Sequence, residues 1–253
     1  MGKKGGEKME LEERKKATEE LTRRVEKKAK DRYGELVLTL QRGIGSSRHL
    51  LKGGKEDKFF FDFDYIVEDP LTCKKIAERF SDKVQQIAEY RGIKPDFLGF
   101  IEKDGIGTVG ALRLSGFISS LTETPNILIR HTRELPYARI KVAKEYQVES
   151  KRRLGGKNVL IINDVSTTGK ELIDAIEEVR DNGGTVTDAL VYFSRHSFET
   201  KKGFQEIGVT LYALITEPQA RDFALRPENK EKARIIREVF STADSYLPEE
   251  QLV

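Results

Sequence analysis

The 253-residue sequence contains no tryptophan, a single cysteine and only two methionines. Cys73, alone, cannot close an internal disulfide, so a disulfide-stapled scaffold is excluded. No apolar run approaches the roughly 20 residues that cross a bilayer. The opening Met1-Gly2-Lys3-Lys4 is basic but lacks the apolar stretch of a signal peptide. Neither sign of charge dominates: 45 lysines and arginines oppose 42 acids for a net +3, too small an excess to argue for nucleic acid, although anionic substrates remain welcome. These absences lead us to expect a soluble protein of a reducing, cytoplasmic setting with no membrane partner. Charged residues at 34% with little Cys or Met suit a heat-adapted protein.

What is present reads as one domain with attachments at both ends, since no composition break divides the chain. Residues 1–35 form a charged N-terminal arm, in which Leu11, Ala17, Leu21 and Val25 give 10–30 a thin helical apolar stripe. Glutamates interleaved among its basic residues favour a solvated helix face over a nucleic-acid contact. A small hood occupies about 36–66. From there helix and strand patterns alternate: a helix over 71–90, an apolar run at 97–101, a helix near 109–120 and a strand at 126–130. A charged stretch, 132–157, then interrupts. A strand at 158–162, a helix at 170–182 closed by Gly183-Gly184, strands at 189–193 and 210–215 and a helical tail from about 217 to 253 complete the chain. Such alternation predicts an α/β domain with a doubly wound parallel sheet.

The most informative stretch is Val159-Leu160-Ile161-Ile162-Asn163-Asp164-Val165-Ser166-Thr167-Thr168-Gly169. Four apolar residues predict a buried strand, and a small polar turn then opens a helix. Unpaired N–H groups from Ser166 to Gly169, the helix dipole and three hydroxyls would suit a phosphate there, with Gly169 letting backbone approach it. The plain structural alternative is a strand, a cap and a helix, with Asp164 or Thr168 as N-cap.

This segment resembles the PRPP-binding motif of the type I phosphoribosyltransferases. Asn163 stands where that family has its first acid, Ser166 replaces an aliphatic residue and Lys170 a small one. Other segments resemble the orotate phosphoribosyltransferases in particular. Lys52-Gly53-Gly54-Lys55, with Phe60 and Phe61 close behind, is similar to the base-holding segment, although Asp57 stands where serine is usual. Gly99 to Gly105 resembles the pyrophosphate loop, with Lys103 as its cation. Arg130-His131 resembles the pyrophosphate-gripping pair, and Lys144-Glu145-Tyr146 the core of a mobile catalytic loop, for which Arg133 and Lys141 are rivals. Arg195, closing Val191-Tyr192-Phe193-Ser194-Arg195, resembles an arginine that contacts the orotate ring.

The resemblance, running from about residue 51 to 215, implies a phosphoribosyltransferase that joins orotate to the ribose 5-phosphate of PRPP with release of pyrophosphate. It implies Mg²⁺ held through the substrate and reached by Asp164, PRPP held by residues 163–169 with Lys103, Arg130 and His131, and orotate held by Lys52, Phe60, Phe61 and Arg195. Asp164, Lys103, Arg130 and Lys144 would act catalytically, in a homodimer. Asn163, Asp57, His131 and the basic N-terminal arm favour a second reading, a regulator that keeps the fold and senses PRPP or nucleotides. A purine-type enzyme is the third, disfavoured by Lys52 and Arg195.

Overall fold

The computed structural model describes residues 31–45, 49–50, 56–57, 60–102, 109–131, 146–149, 154–195 and 198–241. The sequence-predicted helix at 10–30 lies outside them. A helix over 31–42, α1, carries buried Val37 and Leu40 with half-buried Tyr33 and Leu36, an apolar face at three- and four-residue spacing. It spans the sequence-based boundary between arm and hood at residue 35. Two short antiparallel pairs follow, β1 (Ile44–Gly45) with β4 (Phe60–Phe61) and, between them in the chain, β2 (His49–Leu50) with β3 (Glu56–Asp57).

Asp62 and Asp69 start the next two helices, α2 (Phe63–Val67) and α3 (Pro70–Arg91), by accepting from the N–H groups of Tyr65 and Thr72. Pro70 at the first turn has no donor to waste, and Gly92 ends α3 in the left-handed conformation at φ 66°. Between these signals Cys73, Ile76, Ala77, Phe80, Val84 and Ile87 recur on one buried face.

A six-stranded sheet carries the rest, in the order β10-β9-β8-β5-β6-β7. Its parallel members are β5 (Phe97–Glu102), β6 (Asn126–His131), β8 (Val159–Ser166), β9 (Asp188–Ser194) and β10 (Thr210–Thr216). Side chains alternate between two cores, as the period of a strand requires. Leu98, Phe100, Leu160, Ile162, Leu190 and Tyr192 face α1 to α3, α4 (Val109–Thr122), α7 (Glu217–Leu225) and α8 (Arg234–Ser241). Phe97, Ile101, Val159, Ile161, Ala189 and Val191 face α5 (Lys170–Asp181) and α6 (Phe198–Glu206). Helices thus cover both faces, and the doubly wound α/β expectation holds. Gly99 is fixed by this packing, because a Cβ there would sit 2.8 Å from Ile161 Cδ1 and 3.1 Å from Ile129 Cδ1.

Three expectations change. The sheet is not wholly parallel: β7 (Tyr146–Glu149), inside the stretch expected only to interrupt the series, pairs antiparallel with β6. Tyr146-Gln147-Val148-Glu149 does alternate apolar and polar, but four residues leave too short a period to stand out in charged surroundings. Second, Gly99 to Glu102, assigned to a pyrophosphate loop, belong to strand β5. Third, β8 does not stop at Ile162 but continues to Ser166, because Asn163, Val165 and Ser166 keep their ladder partners Val191, Phe193 and Ser194 on β9.

Candidate phosphate site at the end of the central strands

From β5 the chain moves to one side of the sheet, to β6, whereas from β8 it moves to the other, through β9 to β10. The carboxyl ends of β5 and β8 therefore flank the topological switch point, the place where open α/β sheets leave a crevice for ligands. All the sequence-predicted site residues that fall among the described ones lie at this edge of the sheet or in the short β4 pair.

The turn Thr167–Gly169 joins β8 to α5, the reverse of an ordinary capped helix. Gly169 is the N-cap, in the left-handed region at φ 78°, and no side chain caps the helix. The Asp164 carboxylate accepts from Val165 N at 2.7 Å, away from the helix, and the Thr168 hydroxyl makes one long contact, accepting from Lys170 N at 3.4 Å. Three carbonyls in and beside the turn are engaged by the protein. Ser166 O accepts from Arg195 N at 3.0 Å, Thr167 O from Thr200 Oγ1 at 2.7 Å, and Gly169 O from Ile173 N at 3.0 Å. Among the described residues, the N–H groups of Thr167, Thr168 and Gly169 meet no acceptor. Donors without acceptors at the positive end of a 12-residue helix form an anion cradle.

Gly169 has a packing reason beside the one read from the sequence. A Cβ there would lie 2.8 Å from Phe204 Cε2 and 3.3 Å from Thr200 Cγ2, so the glycine lets α6 come close. Thr200 and Phe204 are site-supporting residues that sequence reasoning missed. Thr200 lies 33 residues from the carbonyl it holds, and no local pattern marks it.

Asn163 is buried at 5% exposure and its amide donates to Val165 O over 3.5 Å, within its own strand end. Asp164 and Val165 are half-buried. Ser166 is 2% exposed and its hydroxyl has no partner among the described residues. Arg195 follows β9, half-buried, with its backbone tied to Ser166. Arg130 and His131 end β6 beside Glu102 of β5 and Tyr146 of β7. At about 4.8 Å per strand their backbone is on the order of 10 Å from the end of β8. Phe60 and Phe61 form β4. Lys52, Lys103, Lys144 and its rivals Arg133 and Lys141 lie outside the described residues.

Among the described residues no group of three His, Cys, Asp or Glu side chains could hold a metal ion. At the end of β8 the one acidic side chain is Asp164, with Asn163 beside it as a neutral oxygen donor. That set fits an ion carried chiefly by its substrate. Among the same residues, no helix is long and apolar enough to cross a membrane.

No protein-family model matches the chain. It is 25% identical over 175 residues to an orotate phosphoribosyltransferase of Halobacterium salinarum, spanning 68% of this chain and 86% of that one. Among solved structures it superposes on orotate phosphoribosyltransferase from Aeropyrum pernix with a TM-score of 0.56 and 19% identity, over 74% of this chain and 94% of that one. It also superposes on adenine phosphoribosyltransferase from Saccharomyces cerevisiae, with a TM-score of 0.52 and 18% identity, over 72% and 99%. The chain is thus similar in sequence to orotate phosphoribosyltransferases, and its fold is the one shared by pyrimidine- and purine-type phosphoribosyltransferases.

Proposed function

We propose that the chain is an orotate phosphoribosyltransferase, which transfers the ribose 5-phosphate of PRPP to orotate and releases pyrophosphate. The observation that carries this reading is the Thr167–Gly169 turn, whose Thr167 and Gly169 carbonyls are engaged and whose three N–H groups meet no acceptor among the described residues. The turn would hold the 5-phosphate, and Asp164 a ribose hydroxyl. Arg130 and His131, at the neighbouring strand end, would meet the pyrophosphate with Lys103, and Lys144 would add charge from the segment that follows. Lys52, Phe60, Phe61 and Arg195 would receive the base; a guanidinium offers paired donors to an acidic pyrimidine. Mg²⁺ would be carried by the pyrophosphate and ribose oxygens within reach of Asp164, and when bound it would offset charge on the leaving group. The protein's own share is to position the two substrates and to balance charge as the bond to pyrophosphate lengthens. We further propose that it works in the cytoplasm as a homodimer.

Loss of orotate absorbance with PRPP and Mg²⁺ tests the reading, with adenine and other purine bases as parallel acceptors. Turnover confined to orotate is the expected result; turnover confined to a purine would replace the acceptor and keep the chemistry. Asn163 favours one other reading, a PRPP sensor that no longer catalyses, because the strand end lacks one of its acids and the amide is bent onto Val165 O. The two part on one variant. Asn163→Asp is expected to raise turnover of an enzyme with little change in PRPP affinity, and to give a sensor no turnover at all.

A further inference from the structure

We propose that Thr200 is a positioning residue for phosphate binding, acting through the Thr167–Thr168 peptide. This inference rests on the reading of the turn as the 5-phosphate site. The Thr200 side chain is fully buried on α6, and its hydroxyl donates to Thr167 O at 2.7 Å. A trans peptide is planar, with its C=O and N–H pointing in opposite directions. Fixing the Thr167 carbonyl into α6 therefore fixes the Thr168 N–H away from α6, toward the open side of the turn.

Nothing else among the described residues fixes that plane. The peptide before it is held by Arg195 N through Ser166 O, and the peptide after Gly169 by Ile173 N within α5. The Thr167–Thr168 peptide lies between these two anchors in an exposed bend, where rotation about the flanking bonds is soft. Rotated by half a turn, it would aim a carbonyl oxygen, not a donor, at an incoming anion. The Thr200 hydroxyl thus selects the binding-competent orientation before the ligand arrives, which lowers the ordering cost of binding. Its methyl has a separate part: Cγ2 would be 3.3 Å from a Cβ at position 169 and so packs against the glycine.

The hydroxyl and the methyl are separable by substitution. PRPP is titrated calorimetrically into the full-length protein and into its Thr200→Val, Thr200→Ser and Thr200→Ala variants, with thermal midpoints recorded for each. A net hydrogen bond of about 1 kcal/mol corresponds to roughly a fivefold change. Thr200→Val is therefore expected to weaken PRPP about threefold to tenfold and Thr200→Ser to retain affinity within about twofold. Orotate turnover at saturating PRPP should stay close to that of the parent in both, so that the loss appears in KM for PRPP and not in kcat. Should Thr200→Val not fold, the Ala and Ser variants, which differ only in the hydroxyl, make the same comparison. Affinity unchanged in the Val or Ala variant would overturn the positioning role and leave the phosphate assignment standing. An equal loss in Ser would overturn it too, by assigning the effect to the methyl. Failure of the parent protein to bind PRPP would remove the phosphate assignment itself, and this inference with it.

Discussion

Two small residues, one at the end of β8 and one in the turn after it, decide more than their size implies. Ser166 buries, at 2% exposure, a hydroxyl that has no partner among the described residues. An unsatisfied buried hydroxyl costs roughly 1–3 kcal/mol. Ser166→Ala is therefore expected to stabilise the protein by on the order of 1 kcal/mol, seen as a higher urea midpoint at constant slope. A lower midpoint would mean that the hydroxyl is satisfied after all. Gly169→Ala should act in the opposite sense. It forces a side chain into the left-handed region, at φ 78°, and a Cβ to within 2.8 Å of Phe204, so a loss of about 1–3 kcal/mol is expected in the same titration. Asn163, Asp164 and Gly169 were legible in the sequence because they stand in a contiguous motif. Thr200 and Phe204 were not, because a contact across 33 residues leaves no periodic trace.

Elements with strong local signals matched their sequence reading closely. Asp69-Pro70 at one end and Gly92 at the other bound α3, and the apolar tetrad Val159 to Ile162 marks β8 as a buried parallel strand. Those governed by distant partners did not: β7 is a strand because β6 offers it an edge, and α6 packs under the Thr167–Gly169 turn. The cap of α3 gives a prediction with a pH signature. The hydroxyl of Thr72, then its N–H, donate to the Asp69 carboxylate at 2.5 and 2.8 Å and hold it below the usual carboxylate range. A carboxyl depressed by folding adds stability above its unfolded pKa, near 3.9, and loses that contribution as pH falls through the lower folded value. Asp69→Ala should therefore lower the thermal midpoint at neutral pH, and the gap from the parent should close progressively below about pH 4. A gap independent of pH would point to packing and not to the charged cap.

At the scale of the molecule, α1 and the helices α7 and α8 share one core with the sheet. The Gln41 side chain on α1 donates to Lys232 O at 2.9 Å and accepts from Ile235 N at 3.1 Å. Tyr33 meets Phe223 edge-on, and the buried Tyr192 hydroxyl of β9 donates to Leu36 O at 3.0 Å. Burial raises the pKa of both tyrosines, so neither ionises in the physiological range. Removing residues 217–253 would strip Ala220, Phe223, Ala224, Ala233 and Ile236 from this core, at about 2 kcal/mol for each large side chain. The shortened protein is expected to lose its cooperative thermal transition and to be cut rapidly by protease. An unchanged transition would show that α7 and α8 are ornaments.

The Gln41 bridge also sets an order in time. The backbone groups that the Gln41 side chain binds come 191 and 194 residues after it in the chain. Until they are made, α1 lacks the part of its cover that the C-terminal helices supply. Pauses in translation between Gln41 and Ile235 should therefore harm the yield of folded protein more than equal pauses before Gln41.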